Sequence, residues 1–221
     1  MFAPLNKQRL PKLTTTSFAL LGLLQRRSWS AYELTQYMRS SILRAVWPRA
    51  ESHLYSEPKL LQKRGLAESR EEHTGARKRT VYSITESGRE VLGQWLREEG
   101  PSEFRFEYEL LVRFAFAESV SAEQVQQYLQ QVRDDALRDA EVALQGVEEV
   151  LESSDELASS PQAAYTGAII HLITDQLERR IAWARKMSGR LAAGTEQPGL
   201  SEDLYREAGE RLKKLLGSRE D

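Results

Sequence analysis

The 221-residue chain has no cysteine, so it forms no disulfide, builds no thiolate zinc site and has no cysteine nucleophile. That absence fits a reducing compartment, and with no signal-peptide pattern at the N-terminus a cytoplasmic location is expected. Histidine is scarce as well. His53, His73 and His171 make no His-x-x-x-His pair, and the sequence has no glycine-rich phosphate loop. Nothing therefore assembles a nucleophile with its base or a ligand set, and no catalytic residue, metal or cofactor is expected; an enzyme is disfavoured. Long apolar runs are missing too. The longest, FALLGLL at 18–24, is far shorter than the roughly 20 residues a membrane span needs.

What is present suffices for a core, since 40% of the residues are hydrophobic and 8% aromatic. The net charge of −2 hides a polarity along the chain. Residues 1–100 hold 17 Lys plus Arg against 10 acids, or +7, whereas residues 101–221 hold 14 against 23, or −9. Such asymmetry is expected when one half meets a polyanion and the other does not, although clustering on solvated faces gives the same count.

Residues 49–96 carry the most information, because they read as helix, glycine stop, strand, basic loop, strand and helix. Gly65 follows a lysine-bearing last turn, where a residue of positive φ belongs. In RTVYSIT the period changes to two, with Thr80, Tyr82 and Ile84 on one side and Arg79, Val81 and Ser83 on the other. Thr85 then caps a helix that gathers Val91, Leu92, Trp95 and Leu96 on one face. Between the strands, Gly75-Ala76-Arg77-Lys78-Arg79 is a turn followed by three cations, which suits a DNA phosphate backbone.

Upstream, residues 14–27 are apolar on nearly every side and predict a buried helix with Leu20, Leu21, Leu23 and Leu24 in the core. Ser30 and Glu33 form a capping box, so a second helix begins near Ala31 with Leu34, Met38 and Ile42 inward. The third helix is the expected reader. Turning 100° per residue places Ala50, Leu54 and Leu61 inward and Arg49, Ser52, Ser56, Lys59 and Lys63 outward, flanked by His53 and Tyr55. Short polar groups suit base edges and long cations suit phosphates. Ser52, His53 and Ser56 are therefore expected near bases, and Arg49, Tyr55 and Lys59 near phosphates. A bland polar face would look the same on an isolated helix; the adjoining cationic wing, Arg77, Lys78 and Arg79, favours DNA. Residues 1–13, with Lys7, Arg9 and Lys12 between two prolines, are expected to be an arm.

Three segments, SFALLGLLQRRSWSAYEL, HLYSEPKLLQKRGL and TGARKRTVYSITESGREVLGQWL, resemble the PadR-like transcriptional regulators in order and spacing. The resemblance implies a mostly α protein: a winged helix-turn-helix domain with a two-stranded β-wing over 14–99, then an all-α dimerisation domain of long helices over 103–193. Pro58 departs from a regular recognition helix, where it deletes a main-chain donor and should kink the path at a cost of about 3 kcal/mol.

The boundary falls at Glu99-Gly100-Pro101-Ser102. Beyond it, FRFEYELLVRFAF offers Phe106, Leu110, Val112 and Phe114 to a buried surface, and Ser121 with Gln124 makes another capping box. Val125, Leu129, Val132, Ala136, Ala140, Ala143, Val147 and Val150 advance by threes and fours, as do Ile170, Ile173, Leu177, Ala184, Met187 and Leu191 after a serine-rich break and Pro161. A three-helix core within one subunit explains these seams as well as a dimer does. The family resemblance implies the dimer, and with it a homodimer reading double-stranded DNA at a two-fold inverted repeat. Leu200, Leu204, Ala208, Leu212 and Leu215 predict a final docked helix over 200–216.

The resemblance also implies a repressor, released where a small hydrophobic or aromatic effector is sensed. Aromatic faces stack on planar molecules, and of the four tryptophans Trp95 and Trp183 are the candidates for contacting it because their helices are expected to border the dimer interface; a core role is the commoner fate of tryptophan. The competing reading is a winged-helix scaffold that binds protein without specific DNA binding.

Overall fold

The computed structural model describes residues 13–41, 43–74, 77–98, 104, 106–152, 161–192, 194 and 196–217, with Thr74, Arg77 and Pro161 described in their backbone alone. Ile42, Gly75, Ala76, the 99–103 boundary, the 153–160 break and the arm with Lys7, Arg9 and Lys12 lie outside the described residues. The chain forms two compact units, one of residues 1–104 with 145–166, the other of 105–144 with 167–221.

In the first unit three helices start where a side chain satisfies a free backbone donor. Thr14 caps α1 (Thr15–Leu24) by accepting from the Ser17 N–H at 3.2 Å, and its own N–H donates to Ser17 Oγ at 3.1 Å. Leu20, Leu21, Leu23 and Leu24 are all buried, so this helix is apolar all round because it is covered all round. Ser30 and Glu33 close the expected box on α2 (Ala31–Ser40), which buries Leu34 and Met38. A single turn, α3 (Leu43–Val46), leads to α4 (Glu51–Lys63).

Helix α4 stops at Gly65, whose φ is +71°. The Gly65 N–H donates to the Gln62 carbonyl at 2.9 Å and the Leu66 N–H to the Leu61 carbonyl at 3.0 Å, the paired bonds of a Schellman motif. Leu61 and Leu66 are both in the core, which supplies the apolar contact this stop favours. Strands β2 (Ala67–Thr74) and β3 (Arg77–Ile84) form the antiparallel wing. A third strand, the two-residue β1 (Trp29–Ser30), pairs with the other edge of β3 and makes the order β1-β3-β2. The central position of β3 buries Val81 as well as Tyr82 and Ile84, while Thr80 is exposed, so the half-buried alternation expected for this strand does not hold. Thr85 caps α5 (Glu86–Arg97), accepting from the Gly88 N–H at 3.1 Å. On α5, Leu92 is buried and Val91 and Trp95 are half-buried, but Leu96 is exposed.

The second unit draws on α6 (Glu109–Ala115), a 3-10 turn (Ala117–Ser119), α7 (Ala122–Glu152) as far as Leu144, α8 (Pro161–Leu191) from Gly167 and α9 (Leu200–Gly217). Leu110 is buried and Phe114 half-buried, as expected, whereas Phe106 and Val112 are exposed. Phe106 precedes the helix, and Val112 lies two residues and thus about 200° from Leu110. Along α7, Val125 and Leu129 pack with Leu191 and Leu200, and Val132 packs with Leu110 and Ala184. This stretch of the seam is filled within one chain. Tyr108 donates to Asp135 Oδ2 at 2.7 Å; burial and this bond to a carboxylate push its phenol up to about 12.

Candidate nucleic-acid interface

Helix α4 is held from behind. Leu54, Pro58 and Leu61 sit in its inner face, and the buried Ser17 hydroxyl on α1 donates to the half-buried Glu57 carboxylate. Arg39, in the last turn of α2, pairs with Glu51 in the first turn of α4 and ties the two helices across their connection. Pro58 does not end the helix, which runs on for five residues to Lys63. Its ring is buried on the inner face, where apolar packing offsets the lost donor.

The outer face of α4 presents Ser52, His53, Tyr55, Ser56 and Lys59, all exposed. Ser56 Oγ donates to the His53 carbonyl at 3.1 Å and keeps its acceptor capacity. Arg49 and Ala50 sit differently from the expected helix positions. The helix begins at Glu51 with Ala50 as its exposed N-cap, so Ala50 does not face the core and Arg49 lies in the lead-in. The Arg49 guanidinium stacks 3.8 Å from the centroid of Trp47, which is itself anchored by its indole N–H to Thr16 Oγ1 at 3.0 Å.

The wing is more balanced in charge than its turn suggests. Lys78 Nζ lies 2.7 Å from Glu71, and Arg79 reaches Glu72 at 3.0 Å and Glu33 at 3.4 Å. Hydrogen bonds from Arg70 and then Arg79 hold Glu72 below the usual carboxylate range. Burial works against ionisation of Glu33, yet hydrogen bonds from Ser30 and the charges of Arg27 and Arg79 lower its pKa. The cations of β3 stand together in the sequence, whereas these acids come beside them only through the fold. The hairpin register, which sets Glu72 opposite Arg79, was the signal that would have revealed them. Arg77 is on the same strand, with its side chain outside the described residues.

Neither tryptophan proposed for an effector lies on this surface. Trp95 stacks flat on Phe18 at 4.6 Å in the first unit, and Trp183 meets Phe114 edge-on at 5.8 Å in the second. Among the described residues no group of His, Asp or Glu could hold a metal ion, and no helix is long and apolar enough to cross a membrane.

A helix-turn-helix with a solvent-facing second helix and a hairpin beside it defines a winged-helix protein. Residues 20–94, the winged-helix domain, match the transcriptional regulator PadR-like family. The negative transcriptional regulator PadR of Bacillus subtilis is 27% identical over 173 residues, covering 75% of this chain and 91% of that protein. The crystal structure of Bacillus subtilis PadR in complex with operator DNA aligns with a TM-score of 0.64 at 21% identity, over 79% of this chain and 97% of the other. The same protein in complex with p-coumaric acid aligns with a TM-score of 0.58 at 22% identity, over 77% and 92%. The family is one of transcriptional regulators, not of enzymes.

Proposed function

We propose that this regulator acts as a homodimeric repressor that reads a two-fold inverted repeat in double-stranded DNA. The observation that carries the reading is the outer face of α4, where Ser52, His53, Tyr55, Ser56 and Lys59 are exposed on a helix locked from behind by Ser17 and Glu57. A rigid, polar, solvent-facing helix is what base reading needs. Support comes from one relative, Bacillus subtilis PadR, a negative transcriptional regulator that has been solved on operator DNA. Selection of bound fragments from random DNA by the purified protein tests it. A palindromic consensus is the expected result; binding without sequence preference would overturn the reading.

The ion pairs of the wing give the protein-scaffold alternative its one argument, since cations already paired have less call for phosphate. The pairs are surface pairs, with Lys78 and Arg79 side chains 58% and 42% exposed. Each such pair contributes about 0–1 kcal/mol, and the field of a DNA duplex outweighs that. The DNA reading therefore stands ahead.

For release we infer a small aromatic or hydrophobic effector, with Trp95 and Trp183 as contacts; the p-coumaric acid complex of Bacillus subtilis PadR supports the chemistry. Both rings are half-buried, each against one aromatic neighbour. Titration of phenolic acids against the protein–operator complex, with Trp95→Phe and Trp183→Phe variants, tests the assignment. Release that neither variant weakens would remove both residues from the effector site.

A further inference from the structure

Only the first turns of α9 dock on the second unit. Leu200 is buried and Leu204 half-buried beside Leu191 and Val125, and Glu207 binds Arg190 at 3.0 Å and also pairs with Lys186. Past this anchor the expected docking does not continue. Tyr205, Leu212 and Leu216 are 83%, 60% and 59% exposed. With the exposed Ala208 they advance by three, four and four, so they make one stripe along the helix.

The charges on α9 say what covers that stripe. Glu202, Asp203, Arg206 and Glu207 give the first half a net −2, while Glu210, Arg211, Lys213 and Lys214 give the second half a net +2. Laid parallel, two such helices set like charges side by side. Laid antiparallel, the acidic half of each faces the basic half of the other, and the pairing is its own two-fold mate. With Tyr205 opposite Leu216, this alignment brings Leu212 over Ala208 and Gly209 of the other copy and Glu210 beside its Arg211. A Cβ on Gly209 would meet nothing within 4 Å in the single chain, so that space is open for the incoming leucine.

We propose that α9 is a self-association helix, pairing antiparallel with α9 of a second copy of this chain through Tyr205, Ala208, Leu212 and Leu216. The contact is separate from the exposed Leu137, Leu144 and Leu151 of α7 and does not depend on the DNA reading.

The absence of cysteine makes the test direct, because introduced thiols are the only ones present. Full-length Tyr205→Cys/Leu216→Cys is oxidised beside each single variant, and covalent dimer is read on a denaturing gel. Eleven residues of helix span about 16 Å, so the two thiols of one helix cannot join each other. Expected is about tenfold more covalent dimer from the double variant than from either single one, as only Cα atoms within about 7 Å can be bridged. A further Leu212→Glu substitution should abolish that gain. Equal crosslinking by Tyr205→Cys alone would mean a parallel pair, and no crosslinking in the double variant would mean no pair; either result overturns the proposal. Neither touches the exposed Leu137, Leu144 and Leu151 of α7, which Leu144→Glu probes in a Leu212→Glu background.

Discussion

Gly88 and Leu66 are in direct backbone contact: a Cβ placed on Gly88 would strike the Leu66 carbonyl oxygen and come within 2.8 Å of Ile84 Cγ1. That carbonyl also accepts the Thr85 N–H at 3.1 Å, and Thr85 Oγ1 donates to the Gly65 carbonyl at 2.7 Å. The end of α4 is thereby fastened to the start of α5. In an unconstrained helix Gly→Ala stabilises by up to about 1 kcal/mol. Here the sign should reverse, with Gly88→Ala costing about 1–3 kcal/mol through forced backbone movement. Urea unfolding of the full chain measures it, and a gain in stability would show that the corner has room.

The same corner shows what the sequence could and could not disclose. Thr85, Ser30 with Glu33, and Gly65 were readable because caps and left-handed stops are local, set by a few neighbouring residues. The exposed outer face of α4 follows from a helical period with Leu54 and Leu61 inward. Strand β1 was not legible: two residues have no period, and Trp29 is extended only because Tyr82 lies beside it. Ion pairs Lys78–Glu71 and Arg79–Glu72 were missed because they depend on strand register. The seam along α7 was visible while its partner was not, since identical spacing serves a neighbour in the same chain or in another. Val125 to Ala136 turned out to be covered from within.

If Lys78 and Arg79 hold phosphates, Lys78→Ala/Arg79→Ala should weaken specific and nonspecific DNA binding alike. Each lost contact should lower the slope of log affinity against log salt by roughly 0.9. The ion pairs add a second expectation of opposite sign. Glu71→Gln/Glu72→Gln frees Lys78, leaves Arg79 only its longer pair with Glu33 and removes two charges that repel phosphate, so affinity should rise. Titrations at several salt concentrations check both; an unchanged slope in the alanine pair would take the wing out of the interface.

Recognition-helix substitutions should behave differently, because they act on which sequence is chosen. Ser52→Ala and Ser56→Ala each remove a hydroxyl from the exposed face without touching Leu54, Pro58 or Leu61. Specificity should shift by about 1–3 kcal/mol per affected base pair while nonspecific affinity stays level. Selection from random DNA with each variant should return an altered consensus. The parent consensus from both would mean that the reading face is misassigned.

Dimer formation through α7 rests on residues outside its filled seam. Leu137, Leu144 and Leu151 are exposed and recur every seven residues on one stripe of that helix, while Tyr165, Ile169 and Leu172 are exposed on α8. A heptad stripe of leucines open to solvent is expected to meet a second helix. Leu144→Glu places a charge at its centre yet should leave the chain folded, since the side chain is exposed within one subunit. In a Leu212→Glu background, which removes the α9 contact, sedimentation should then find a species of half the mass. Affinity for a full palindrome should fall by about 10²–10⁴, the gain that linking two half-site contacts provides, with half-site affinity little changed. A variant that stays dimeric and keeps its palindrome affinity would move the dimer contact away from this stripe.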